Sequence, residues 1–159
     1  MGIEIERKFL VREDSWRSDG DGMLYRQGYL CAGPERTVRV RLAGGRGYLT
    51  VKGGGAGARR YEFEYEIPPE DARDMLEKLC LHPLIDKMRY RVQVDGETWE
   101  VDEFLGENQG LVVAEIELAH EDQPFSRPPW LGREVTGDVR YYNARLFRHP
   151  YSSWRREEP

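Results

Sequence analysis

Along most of this chain apolar and polar residues alternate with period two, the repeat of an extended strand whose successive side chains point to opposite faces. The pattern predicts strands over Ile3 to Arg12, Leu24 to Cys31, Arg36 to Leu42, Gly47 to Gly53, Arg60 to Ile67, Ile85 to Val94, Glu97 to Phe104 and Leu111 to Leu118. Turn signals separate several of them: Gly44-Gly45, the run Gly53-Gly54-Gly55, and Asp95-Gly96 as a tight hairpin. Helical signals are few. Pro69 to Leu81 opens with Pro and acidic residues, places Ala72, Met75, Leu76 and Leu79 on one face, and is expected to end at Pro83. Helical turns are expected around Trp130 to Val135 and Tyr141 to Phe147, and the arginine-rich tail after Ser152 is expected to fray. Eight strands with few helices predict an α+β chain in which a closed antiparallel eight-stranded barrel carries a few helices outside.

What alternates is unusual. Glu4, Glu6 and Lys8 share one face of the first strand, opposite Ile3, Ile5 and Phe9. Arg39 and Arg41 share a face of the third, and Lys52 adds a base to the fourth. Glu62, Glu64 and Glu66 stack on the fifth, Lys87, Arg89 and Arg91 on the sixth, then Glu100 with Asp102 and Glu115 with Glu117. The ordinary reading of any one such strand is a half-buried sheet with a solvated face. Solvated faces mix signs, however, and like charges two residues apart repel. In a closed barrel the apolar set would instead face outward beneath the helices, and the charges would line a wet lumen. Dry burial of so many ions would cost several kcal/mol for each one left unpaired. Carboxylates are the hard oxygen ligands of Mg²⁺ or Mn²⁺, while Arg and Lys suit phosphate oxygens. Together they specify a metal–phosphate complex.

Composition narrows the picture. The 159 residues carry no internal repeat, low-complexity tract or long linker, so 1–159 reads as a single domain. Hydrophobic residues are only 39% and charged residues 33%, but four Trp, nine Tyr and five Phe spread along the chain exclude a disordered one. The net charge of −5 gives no reason to expect nucleic acid. Cys31 and Cys80 show no zinc spacing and no disulfide framework, which points to a reduced, cytoplasmic setting. No apolar run suggests a signal peptide or membrane span. No phosphate-loop motif is present, since Gly53 to Gly55 follow Lys52 rather than precede it, and no G-x-S-x-G occurs. His82, His120 and His149 lack paired ligand spacing and read as surface residues. Trp16, Trp99, Trp130 and Trp154 read as packing residues.

With these residues in order the chain resembles the CYTH superfamily, the triphosphate tunnel metalloenzymes. Glu4-Ile5-Glu6-Arg7-Lys8 is similar to the ExExK signature of that family. The likeness continues through Arg26 to Leu30, the Arg39/Arg41 pair, Lys52, Glu62/Glu64, Lys87 with Arg89, Glu100/Asp102, Glu115/Glu117 and Glu134 to Tyr141. It is greatest with the short bacterial inorganic triphosphatases. One departure is Tyr142, where many relatives carry lysine, so the closing segment lacks a basic side chain there. The resemblance implies a tunnel in which Lys8, Arg39, Arg41, Lys52, Lys87 and Arg89 clamp a triphosphate. It also implies that Glu4, Glu6, Glu62, Glu64, Asp102, Glu115 and Glu117 hold Mg²⁺ or Mn²⁺ or position water. Glu4, Glu62 and Lys87 are the residues expected to act in catalysis. The expected partner is a triphosphate-containing small molecule, with no nucleic acid and no membrane, and a homodimer stays open. A nucleoside or thiamine triphosphatase, an adenylyl cyclase, and a non-catalytic polyphosphate or nucleotide sensor remain as alternatives on the same scaffold.

Overall fold

The computed structural model describes residues 2–154. Eight antiparallel strands follow the predicted alternation: β1 (Ile3–Val11), β2 (Gly22–Ala32), β3 (Arg36–Ala43), β4 (Arg46–Ala56), β5 (Arg59–Ile67), β6 (Leu81–Val94), β7 (Glu97–Phe104) and β8 (Val112–Glu117). Their order is β5-β4-β3-β2-β6-β7-β8-β1, and pairing of β1 with β5 closes the barrel. A ninth strand, β9 (Leu131–Glu134), pairs with the far end of β1. One edge of β1 therefore takes β8, while the other is shared by β5 at Ile3 to Ile5 and β9 at Phe9 to Val11. Between β5 and β9 the barrel wall has a seam, which the chain after β9 covers: the Lys8 amide donates to Thr136 Oγ1 at 2.9 Å.

The apolar faces do point outward. Ile5, Phe9, Trp99, Val101, Ala114 and Ile116 pack beneath Trp16 and Trp130, from the segments before β2 and before β9. Phe9, Trp99 and Phe125 meet edge to face at 5.7–5.9 Å, as aromatic rings prefer. On the other side, α1 (Pro69–Lys78) lays Ala72 and Leu76 over Val40 of β3. A third cluster caps one end of the lumen. There the inward positions of the strands turn apolar, at Ile85, Phe104 and Val113, and meet Tyr141, Leu146 and Phe147 from the closing segment.

Two expectations change. Trp130 to Val135 holds the strand β9 rather than helical turns. The backbone edge of β1 beyond Phe9 needs a partner, and Gly132 allows close approach, since a Cβ there would lie 2.9 Å from the Leu10 carbonyl oxygen. Helix α1 ends at Lys78, where the Leu79 and Cys80 amides both bond the Met75 carbonyl, so Pro83 lies inside β6 and does not stop the helix. Of the tail after Ser152, Ser153 closes a 3₁₀ turn over Tyr151–Ser153 and Trp154 packs edge-on against Tyr141, while the arginine-rich part on which the expectation of fraying rests falls on the residues that follow. Arg155 to Pro159 lie outside the described residues. Tyr141 to Phe147 is helical as expected, as a 3₁₀ turn at Val139–Tyr141 and the short α2 (Asn143–Leu146).

Candidate active site

The lumen is a cavity of about 1240 Å³. Lining it are Glu4, Glu6 and Lys8 of β1, Arg39 and Arg41 of β3, Lys52 of β4, Glu62 and Glu64 of β5, Lys87 and Arg89 of β6, and Glu115 and Glu117 of β8. Strand register arranges them in rows. Glu100, Glu115 and Lys8 lie abreast across β7, β8 and β1, as do Arg39, Thr50 and Glu64 across β3, β4 and β5. Asp102 is the exception to the expected lining. It is buried behind Lys87 and Arg89, which occupy both of its oxygens.

One wall is acidic and short of compensation. Lys52 Nζ sits between Glu4 at 3.1 Å and Glu62 at 3.4 Å. Burial raises the Glu4 carboxyl above the ordinary carboxylate range, against the pull of Lys52 and with a push from Glu62. Burial, then Glu115 and Glu4, raise Glu6 well above it, and burial with Glu4 and Glu100 raises the more exposed Glu117. Glu4 Oε1 is buried and makes no aligned hydrogen bond. Among the described residues no three acidic, His or Cys groups converge as a preformed metal cage. The donor set nevertheless fits a hard divalent cation that keeps waters and ligand oxygens in its shell, because charge on these carboxylates is what such an ion relieves.

The other wall is basic and tightly held. Arg89 grips Asp102 with two hydrogen bonds of 2.7 and 2.8 Å and reaches Glu115 at 3.1 Å and Glu100 at 3.2 Å. Lys87 Nζ donates to Asp102 at 2.7 Å and to Asn143 Oδ1 at 3.3 Å. Burial lowers Lys87 to about 7, with Arg89 and Arg41 adding to the effect and Asp102 opposing it. Burial, Arg39 and Arg89 likewise lower Arg41 to about 10, a sign of cations crowded without enough anion. The Tyr25 ring is approached by both Arg41 and Arg89, at 4.9 and 5.1 Å, and eases that crowding through its π face. Arg39 and Arg41 both lean on Glu64, at 3.7 and 3.9 Å. For Glu115, burial would raise the carboxyl, but Lys8 and Arg89 bring it down to about 2.

Several residues in and around the lumen were not foreseen. Arg60 occupies the same face of β5 as Glu62 and Glu64, so the period-two rule that singled those out also points to it. Gln27 and Asn143 join the closing segment to the basic wall: Gln27 Nε2 donates to Asn143 Oδ1 at 2.9 Å. No sequence signal marks Asn143, whose place depends on how α2 docks. His82, His120 and His149 are exposed, and both cysteines are free. No helix among the described residues is long and apolar enough to cross a membrane.

Comparison with known proteins agrees with this architecture. The CYTH domain model matches residues 2–151. An inorganic triphosphatase from Acetivibrio thermocellus is 54% identical over 155 residues, spanning 98% of this chain and 99% of that protein. Another, from Nitrosomonas europaea, is 38% identical over 151 residues, spanning 90% and 95%. A solved inorganic triphosphatase structure is 35% identical and superposes with a TM-score of 0.64 over 91% of this chain and 93% of its own. A closed barrel with charge lining its lumen, matched over nearly its whole length, makes this chain a member of the CYTH domain family.

Proposed function

We propose that this protein hydrolyses inorganic triphosphate in the lumen of its barrel, with Mg²⁺ or Mn²⁺ as cofactor, in a cytoplasmic setting. The observation that carries the reading is the pairing of an undercompensated acidic wall with a crowded basic wall around one cavity. A polyanion with its counter-cation relieves both, and two relatives named inorganic triphosphatase support the choice of substrate.

In this mechanism Lys8, Arg39, Arg41, Lys52, Lys87 and Arg89 bind the phosphate chain and neutralise its oxygens, the main requirement of phosphoryl transfer. Glu4, Glu6, Glu62, Glu64, Glu115 and Glu117 would hold the metal, which when bound supplies charge neutralisation at the phosphate oxygens. Asp102 acts in this scheme by fixing Lys87 and Arg89. Glu4 or Glu62 orients a water and takes its proton as the oxygen attacks the terminal phosphorus. The new P–O bond forms as the bridging P–O bond breaks, releasing orthophosphate and pyrophosphate. Lys87, near its protonation midpoint at neutral pH, is placed to neutralise the departing oxygen.

A substrate panel tests the proposal: phosphate release from tripolyphosphate, ATP, thiamine triphosphate and pyrophosphate, each with Mg²⁺ and Mn²⁺. Tripolyphosphate should give the highest kcat/KM. Basic residues on four strands imply contacts along an extended chain, so equal kcat/KM for pyrophosphate would remove the argument for three phosphates.

A further inference from the structure

Among the described residues, one lumen cation on the barrel strands stands apart from the ion pairing of its neighbours. Arg60 opens the lumen face of β5, directly across from Glu4 of β1, yet it forms no ion pair among the described residues. The Glu4 and Glu62 carboxylates beside it engage Lys52 instead. The partner of Arg60 is neutral: its Nη2 donates to the Tyr142 hydroxyl at 2.9 Å, and its guanidinium carbon lies 4.8 Å from the centre of that ring. Lys8 Nζ approaches the same ring, at 5.3 Å. Tyr142 thus links β5 to the closing segment with two cations near its ring, and all three residues line the cavity.

Two cations gathered on one aromatic ring leave donors over. A guanidinium has five N–H groups, and Tyr142 takes one of those on Arg60. The Tyr142 hydroxyl accepts from Arg60, so its own proton remains free to donate. The spare donors of Arg60 and the Tyr142 hydroxyl, partly desolvated and without an anion among the described residues, are the complement of a phosphate oxygen, and Lys8 beside them is shared with Glu115 at 3.3 Å. We infer that Arg60, held in place by Tyr142, is a further phosphate-binding residue, and that with Lys8 it takes the end of the triphosphate that lies under the closing segment. This rests on the triphosphatase reading and adds to it a subsite at the seam. The competing role for the pair is a clasp that only fastens residues 139–147 to the barrel.

The test compares the parent with Arg60→Ala, Arg60→Lys and Tyr142→Phe. Steady-state KM and kcat for tripolyphosphate are read alongside melting temperature, with and without tripolyphosphate and metal. Loss of one charge-assisted contact should raise KM on the order of tenfold in Arg60→Ala. Arg60→Lys should recover part of that loss, and Tyr142→Phe, which keeps the ring, should raise KM by about threefold. The ligand-induced rise in melting temperature should shrink in the same order, while the ligand-free melting temperature stays near the parent's. If KM and the ligand-induced shift remain parental while the ligand-free melting temperature falls, the pair is a clasp and the inference is overturned. If Arg60→Ala does not fold, Arg60→Lys and Tyr142→Phe carry the same comparison. A parent that neither hydrolyses tripolyphosphate nor is stabilised by it would overturn the triphosphatase reading itself. Parental kinetics in all three variants of an active enzyme would overturn only the subsite.

Discussion

Lys87 Nζ and Asp102 Oδ2 lie 2.7 Å apart with both side chains almost wholly out of solvent, so the most deeply buried cation of the site is held by a carboxylate that does not itself line the cavity. Asp102 also receives both prongs of Arg89. Asp102→Asn leaves two buried cations short of their anion and should cost about 3–5 kcal/mol in urea unfolding of the metal-free protein. A metal-binding Asp102 would behave otherwise. Its substitution would spare the metal-free protein and weaken only the response to metal.

The low Lys87 value has a signature in the pH dependence of stability. Its pKa is about 7 in the folded protein against an ordinary 10.5, so between those limits the unfolded chain holds more protons at this site. Stability should therefore rise with pH across that interval, and the penalty should be complete below about 7. Melting temperatures of the parent and of Lys87→Met at pH 7, 8 and 9 isolate the effect of this side chain. The parent should gain a few degrees relative to the variant as pH rises, and parallel curves would mean that Lys87 titrates normally.

Glu6 has the opposite sign. Its carboxyl is raised by burial and by Glu115 and Glu4, so its charge opposes folding at neutral pH and its protonation favours it. The contribution is fully present below the usual carboxylate pKa and is lost as pH rises through the elevated one. Glu6→Gln should melt at or above the parent temperature without ligand, yet turn over tripolyphosphate on the order of 10²-fold more slowly. Parental turnover would place Glu6 outside the chemistry.

Metal removal should be decisive for activity and mild for structure. No preformed cage exists among the described residues, so EDTA should abolish phosphate release without unfolding the protein, and Mg²⁺ or Mn²⁺ should restore it. Full turnover in metal-free buffer would sink the mechanism.

The core outside the sheet and the charges inside it should respond differently to truncation. Trp99 is fully buried among Phe9, Phe125 and Trp130, and Trp99→Ala should cost about 3–5 kcal/mol. Arg39→Ala removes a cation that also weighs on Arg41, and should change stability by roughly half a kcal/mol or less while turnover collapses. Paired melts and rates decide it, and a large stability loss in Arg39→Ala would mean that the arginine supports the fold.

The barrel was legible in the sequence because period two was kept strand after strand, and the segregated charges said which face was inside. Glu4, Glu6 and Lys8 fell where alternation put them. What stayed hidden depended on contacts distant along the chain. Leu131–Glu134 is too short for its periodicity to tell strand from turn, and only the open edge of β1 decides it. The place of Asp102 behind Lys87 reflects where the lumen turns apolar toward Phe104, a change of environment that the same alternation conceals. Asn143 became part of the site only through the docking of α2.

The inverted arrangement of the barrel also sets the heat signature of binding. A ligand entering most protein cavities covers apolar walls, and a clearly negative heat-capacity change follows. Here the apolar faces of the strands are already covered by Trp16, Trp130 and α1, and the ligand meets chiefly charged side chains. Filling this lumen exchanges one hydrated electrolyte for another. Its binding enthalpy should therefore stay almost level with temperature, as in the assembly of a salt rather than the burial of an oil.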